Sequence, residues 1–162
     1  MRGFALFVAG ITVGLGVTAG AQSLSPNHGI VGLSFVGVNV PNLDQAVEYY
    51  TKTLGFPEAY RQFTAAGETQ FVLVQVSKDT FIQLWPASAR RPPGIEHIAL
   101  QVENLPAVAA MFKQRGAAVG EITVNKATGM DHANLTDPNG IRMELIELPP
   151  ESPLGQAMAR WR

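Results

Sequence analysis

Two stretches of this chain read alike but differ at one position where a side chain can bind a metal. Residues 95–105, IEHIALQVENL, align with residues 33–43, LSFVGVNVPNL. In the third column His97 lies opposite Phe35. An imidazole is a common metal ligand, whereas a phenyl ring has no donor atom. The alignment therefore indicates a duplicated strand in which only one copy carries a candidate ligand.

Four further polar residues are candidates for metal binding, proton transfer or substrate contact. Glu144 interrupts the apolar run MELIEL, which is unusual for a purely structural residue and suits a metal ligand or a general base. Gln83, in FIQLW, offers a neutral amide oxygen, a donor better suited to hard cations. His132 and Asn134 share one face of a strand by alternation. His132 is a candidate proton carrier and Asn134 a candidate substrate contact.

Two further side chains are candidates for substrate binding. Trp85 follows Gln83 by two residues, on the same strand face, and can stack on a flat ligand or pack in the core. Arg142 precedes Glu144 by two residues and can pair with it or contact a ligand. Phe35 is expected to form the floor of any pocket built from these strands.

The elements that must position these residues repeat along the chain. His97 follows Phe35 by 62 residues, and Glu144 follows Gln83 by 61. Hydrophobic periodicity and turn residues predict the order strand, helix, three strands, twice. The predicted modules span about residues 30–86 and 95–148, with strand-like runs after each helix near 58–64, 69–77, 79–85, 118–125, 131–136 and 141–148. Residues 22–29 are a predicted linker, and residues 149–162 a tail with a short helix.

Composition narrows the function classes. Apolar residues make up 46% of the chain and charged residues 15%, which favours a packed core over disorder. The 12 Lys and Arg balance 13 Asp and Glu, so no basic surface for nucleic acid is indicated. There is no cysteine, which excludes disulfides and thiol catalysis.

The first residues predict a secretory signal peptide. Arg2 precedes an apolar run, and Ala19-Gly20-Ala21 supplies a small-residue cleavage site. We therefore expect residues 1–21 to be removed and the mature chain to be periplasmic or secreted, without stable membrane association. An uncleaved membrane anchor is the alternative.

The repeat and its closing turn resemble the vicinal oxygen chelate superfamily of glyoxalases, extradiol dioxygenases and bleomycin-resistance proteins. The resemblance covers about residues 30–148. It rests on FVGVNVPNLDQAVEYYTKTLGF, HIALQVENLPAVAAMFKQRG and DPNGIRMELIEL. It implies an α+β fold in which two tandem βαβββ modules form a curved mixed-sheet cup. The resemblance is also compatible with a homodimer.

The resemblance also implies a ligand set. In this family a divalent metal is often held by the first and last strands of each module, which here places Phe35, Gln83, His97 and Glu144 at the four positions. Phe35 departs from that pattern, so at most three protein ligands remain. Nickel, zinc, manganese and iron are the candidate metals.

Two functions follow from this partial match. The first is a metal-dependent lyase or dioxygenase acting on a small substrate with vicinal oxygens, in which Glu144 and His132 do the chemistry. The second is a metal-free protein that sequesters a small molecule, as bleomycin-resistance proteins do. The loss of a ligand at Phe35 favours the second, and the retained pair of His97 and Glu144 favours the first.

Overall fold

The computed structural model describes residues 25–126 and 128–162, and the predicted signal segment lies outside these residues. The strands are β1 (Ile30–Val40), β2 (Glu58–Phe63), β3 (Thr69–Gln75), β4 (Phe81–Pro86), β5 (Gly94–Val102), β6 (His132–Thr136) and β7 (Arg142–Glu147). The helices are α1 (Leu43–Glu48), which continues as a π-helical turn, α2 (Leu105–Gln114) and α3 (Pro153–Arg160).

The strands form one sheet of seven in the order β2-β3-β4-β1-β5-β7-β6. Strands β1 and β4 are parallel, as are β5 and β7, and the other neighbours are antiparallel. The predicted α+β fold with a mixed sheet is therefore confirmed.

The strand registers reproduce the sequence repeat. Gly37 of β1 pairs with Gln83 of β4, and Ala99 of β5 pairs with Glu144 of β7. These pairs are related by the same offsets as the sequence alignment. Strands β1 and β5, which start the two modules, lie antiparallel at the centre of the sheet. The two modules thus meet along the strands that carry Phe35 and His97.

Each module's helix begins at an asparagine that follows the first strand. The side-chain oxygen of Asn42 accepts a hydrogen bond from the Gln45 amide at 3.0 Å, and that of Asn104 accepts one from the Ala107 amide at 2.9 Å. Such caps satisfy amides that have no partner within the helix. In the parts of the chain described, no helix combines the length and apolar character needed to cross a membrane.

The predicted strand near residues 118–125 does not form. Only two isolated bridges tie this segment to β6, from Val119 to Leu135 and from Thr123 to His132. Val119 is buried, but Val124 is 61% exposed, so the segment has no continuous apolar face to bury. A strand without such a face gains little from joining the sheet.

Two apolar clusters hold the sheet. One lies between α2 and the outer face of β5, β6 and β7, and includes Val108 and Leu145. The other lies on the opposite face, where Phe35 and Ile146 pack with Leu154 of α3. The C-terminal helix therefore belongs to the hollow side of the sheet, next to the site described below.

Candidate functional site

A cavity of about 230 Å³ lies on the hollow side of the sheet. Alternate residues of the strands face it, as the pleat requires. All eight residues that the sequence marked as candidates line this cavity: Phe35, Gln83, Trp85, His97, His132, Asn134, Arg142 and Glu144. The structure therefore brings the predicted set together, and the role of each residue stays a prediction.

His97 lies between two carboxyl groups. It is only 3% exposed. Its Nε2 lies 3.5 Å from Oε2 of Glu144, and its Nδ1 lies 3.5 Å from Oε2 of Glu96. Neither nitrogen makes a hydrogen bond within the described residues. The ring rests on Gly37, where any Cβ would overlap it.

Burial sets the charge state of this pair. Desolvation lowers the pKa of His97, and the positive charge of Arg142 lowers it further, against an opposing effect of Glu96. Desolvation raises the pKa of Glu144, against the opposing electrostatic effects of His132 and Arg142. The contact therefore joins a neutral imidazole to a carboxyl group. A neutral imidazole is the form that can bind a metal.

Glu96 is a site residue that the sequence did not reveal. Alternation places residue 96 on the opposite face of β5 from residue 97. However, β5 carries an irregularity at this point, because His97 pairs with Gly37 while Ile95 pairs with the next residue, Val38. Such a bulge lets two successive side chains point to the same side. The amino-acid sequence around Glu96 contains no signal that predicts this bulge.

Arg142 pairs with Glu96 rather than with Glu144. Its Nη1 lies 2.8 Å from Oε1 of Glu96. Of the two possible neighbours of the Glu144 carboxyl group, Arg142 and His97, the described contacts contain only His97. The bulge explains the difference, since it brings the Glu96 carboxylate within reach of β7.

The other cavity walls are aromatic and amide groups. Phe35 is 2% exposed, and its ring stands edge-on to the His97 ring with centroids 5.7 Å apart. Gln83 is 7% exposed, and its Oε1 has no hydrogen-bond partner among the described residues. Trp85 packs against Phe71 with its ring tilted and the ring centroids 4.7 Å apart. A buried acceptor without a partner is costly, so Gln83 is suited to a ligand.

The described residues contain no group of three or more His, Cys, Asp and Glu that could hold a metal. Two such donors, His97 and Glu144, are neighbours. The third donor available from the cavity wall is the amide oxygen of Gln83. A divalent metal therefore stays a prediction, and it depends on this mixed set.

The chain belongs to the Glyoxalase/Bleomycin resistance protein/Dioxygenase superfamily, whose family model matches residues 32–145. A 2-epi-5-epi-valiolone epimerase from Actinomyces sp. is 29% identical over 156 residues, covering 79% of this chain and 85% of that protein.

Among solved structures, methylmalonyl-CoA epimerase from Mycobacterium tuberculosis matches with a TM-score of 0.65 and 24% identity, over 80% of this chain and 95% of that one. The Streptomyces coelicolor methylmalonyl-CoA epimerase in complex with 2-nitronate-propionyl-CoA gives the same TM-score at 19% identity, over 76% of this chain and 98% of that one. At these identities the structures establish the shared fold.

Proposed function

We propose that this protein is an enzyme of the epimerase and lyase type, which moves a proton at a carbon next to a carbonyl group of a small substrate with vicinal oxygens. The observation that carries the proposal is the buried His97, whose Nε2 lies 3.5 Å from the Glu144 carboxyl group at the cavity wall. Burying the His97 imidazole with no hydrogen bond to either nitrogen is costly unless a ligand uses it. The 29% identical epimerase from Actinomyces sp. supports the same class of reaction.

The donor set fits a divalent cation. His97, Glu144 and Gln83 offer an imidazole nitrogen, a carboxylate oxygen and an amide oxygen, which zinc, nickel, manganese and iron accept in various combinations. Three protein ligands leave positions for a substrate. A bound cation would orient the vicinal oxygens and stabilise negative charge that develops on the carbonyl oxygen.

The remaining chemistry belongs to the side chains around this set. His132 and Asn134 project from β6 into the cavity, and Asn134 pairs in register with Glu144. We assign proton transfer to the His132 imidazole and to the Glu144 carboxyl group. Asn134 is placed to donate a hydrogen bond to a substrate oxygen. The buried ring of Phe35 excludes water from the reacting end.

Metal titration of the mature chain tests the proposal. We expect the metal-stripped protein to bind at least one of nickel, zinc, manganese and ferrous iron at micromolar concentration, and His97→Ala to abolish that binding. Solvent deuterium incorporation into a panel of 2-hydroxyketones, followed by NMR, tests the proton transfer. We expect His132→Gln to slow it while metal affinity is unchanged. Metal binding that survives His97→Ala would contradict the site.

One observation favours a second function. Phe35 fills the position of a fourth donor, and Phe71, Leu73 and Trp85 add apolar surface to the cavity wall. A metal-free protein that sequesters a small apolar compound would use such a wall. The variant Phe35→His separates the two functions, because it supplies the missing donor and should strengthen metal binding. If neither wild type nor this variant binds any of the four metals at micromolar concentration, sequestration is the better description.

A further inference from the structure

Two guanidinium groups stand at the rim of the cavity. Arg91 comes from the loop between β4 and β5 and is 39% exposed in its side chain, and Arg142 starts β7 and is 40% exposed. Both line the cavity. The neighbouring Arg90 is exposed and does not line it.

Both guanidinium groups are directed at a single carboxylate oxygen. Oε1 of Glu96 lies 2.8 Å from Nη1 of Arg142 and 3.8 Å from Nε of Arg91. The other oxygen of Glu96 faces His97. A single carboxylate is thus paired with two positively charged groups. Each guanidinium carries five N–H donors, so most of these donors stay available to a ligand.

Arg91 and Arg142 together carry two positive charges, and Glu96 balances one of them. The second carboxyl group of the cavity, that of Glu144, does not balance the other. Glu144 lies against His97, and in the proposed function it binds the cation. No described contact joins Glu144 to Arg91 or Arg142, so the rim carries one positive charge more than Glu96 balances. A substrate with one negative charge would balance it.

The stacking of Arg91 on Trp85 orients its guanidinium group for contact with a negatively charged substrate. Its guanidinium carbon lies 4.4 Å from the centroid of the Trp85 ring, which in turn packs on Phe71. Stacking uses the face of a guanidinium group and leaves its N–H edges free for a planar, bidentate acceptor. A carboxylate is the acceptor that matches this geometry.

We propose that Arg91 and Arg142 form an anion subsite that binds the carboxylate of a small substrate whose apolar body lies against Trp85 and Phe71. The substrate class is thereby a carboxylic acid rather than a neutral polyol. The inference deepens the proposed function and rests on it for the position of the reacting end, at His97 and Glu144.

Mandelate and mandelamide test the subsite, because both carry vicinal oxygens and an aromatic ring and only the first is charged. We expect metal-stripped wild type to bind mandelate roughly tenfold more tightly than mandelamide, as measured by isothermal titration calorimetry. Arg91→Met and Arg142→Met should each reduce that preference severalfold. Arg91→Lys, which keeps the charge but loses the planar fork, should reduce the preference less than Arg91→Met does. The matched control Arg90→Met should leave it unchanged.

The outcomes are distinct. A wild type without preference for mandelate, or one that binds neither probe at millimolar concentration, would overturn the subsite. So would an equal loss in Arg90→Met. A variant that unfolds is identified by its thermal transition, and the lysine variant then decides. Failure of metal binding with the mandelate preference intact would overturn the proposed function and leave the anion subsite standing.

Discussion

At the scale of single residues, the orientation of His97 depends on its neighbour in the chain. The carboxylate of Glu96 lies 3.5 Å from Nδ1, on the side of the ring away from Glu144. Arg142 in turn fixes Glu96 through a contact of 2.8 Å. A carboxylate behind a metal-binding histidine selects the tautomer and raises the basicity of the other nitrogen. In the proposed function, Glu96 is therefore expected to position the nitrogen that faces the cavity.

Replacing this carboxylate should weaken metal binding without removing a ligand. We expect Glu96→Gln to lower the affinity of the metal-stripped protein for zinc by about ten- to hundredfold. The control is Glu121→Gln, because the Glu121 side chain is 96% exposed and lies outside the cavity lining. Titration calorimetry measures both. Equal affinities of wild type and Glu96→Gln would show that Glu96 does not position the imidazole.

At the scale of elements, the helix α3 closes the hollow of the sheet. Leu154 is fully buried and lines the cavity, and Ala157 packs in the same cluster. Ser152 begins the helix, and its hydroxyl oxygen accepts a hydrogen bond from the Gly155 amide at 3.1 Å. The tail is thus part of the cavity wall as well as of the core.

Truncating the anchor of this helix should destabilise the fold. We expect Leu154→Ala to lower the free energy of unfolding by about 2–5 kcal/mol, because it removes buried methyl groups and leaves a cavity. Leu54→Ala is the control, since Leu54 is 42% exposed, and its effect should stay within about 0.5 kcal/mol. Urea denaturation followed by circular dichroism measures both. A loss at Leu154 no larger than that of the control would mean that α3 is not a structural element of the core.

Some elements could be predicted from the sequence and others could not, for physical reasons. The repeat of Phe35 and His97 predicted two modules, because strand alternation and helical spacing are local properties of the chain. The bulge beside His97 could not be predicted, since it arises from the pairing of β1 with β5 and leaves no residue signature. The same bulge is why Glu96 and the partner of Arg142 escaped notice. The segment 118–125 has strand-like residues but no apolar face, so local propensity misled there.

At the scale of the whole molecule, the two modules divide the work unequally. The second module supplies His97 and Glu144, whereas the first supplies Gln83 and the apolar ring of Phe35. A duplicated fold with one site needs only one set of strong donors. In the proposed function, the first module is therefore expected to shape the substrate pocket.

Export remains a prediction at this scale. We expect the mature chain to begin near Gln22 and to be found outside the cytoplasm, because Ala19-Gly20-Ala21 follows an apolar run. N-terminal sequencing of protein from the native host measures the start of the chain. A variant with Ala19 and Ala21 both changed to Leu serves as a control that should block cleavage. A soluble cytoplasmic product that retains Met1 would contradict the prediction.

Because Gly37 contacts His97, the effects of substitutions at these two positions should depend on each other. Because a Cβ at position 37 would occupy the space of the imidazole, even alanine there should displace the ring. Once the imidazole is gone, as in His97→Ala, the same alanine should be tolerated, so the double variant is expected to be more stable than the sum of the single losses predicts. In a mutational scan the two positions would behave as one epistatic unit. A homologue without a histidine at position 97 should therefore tolerate a larger residue at position 37.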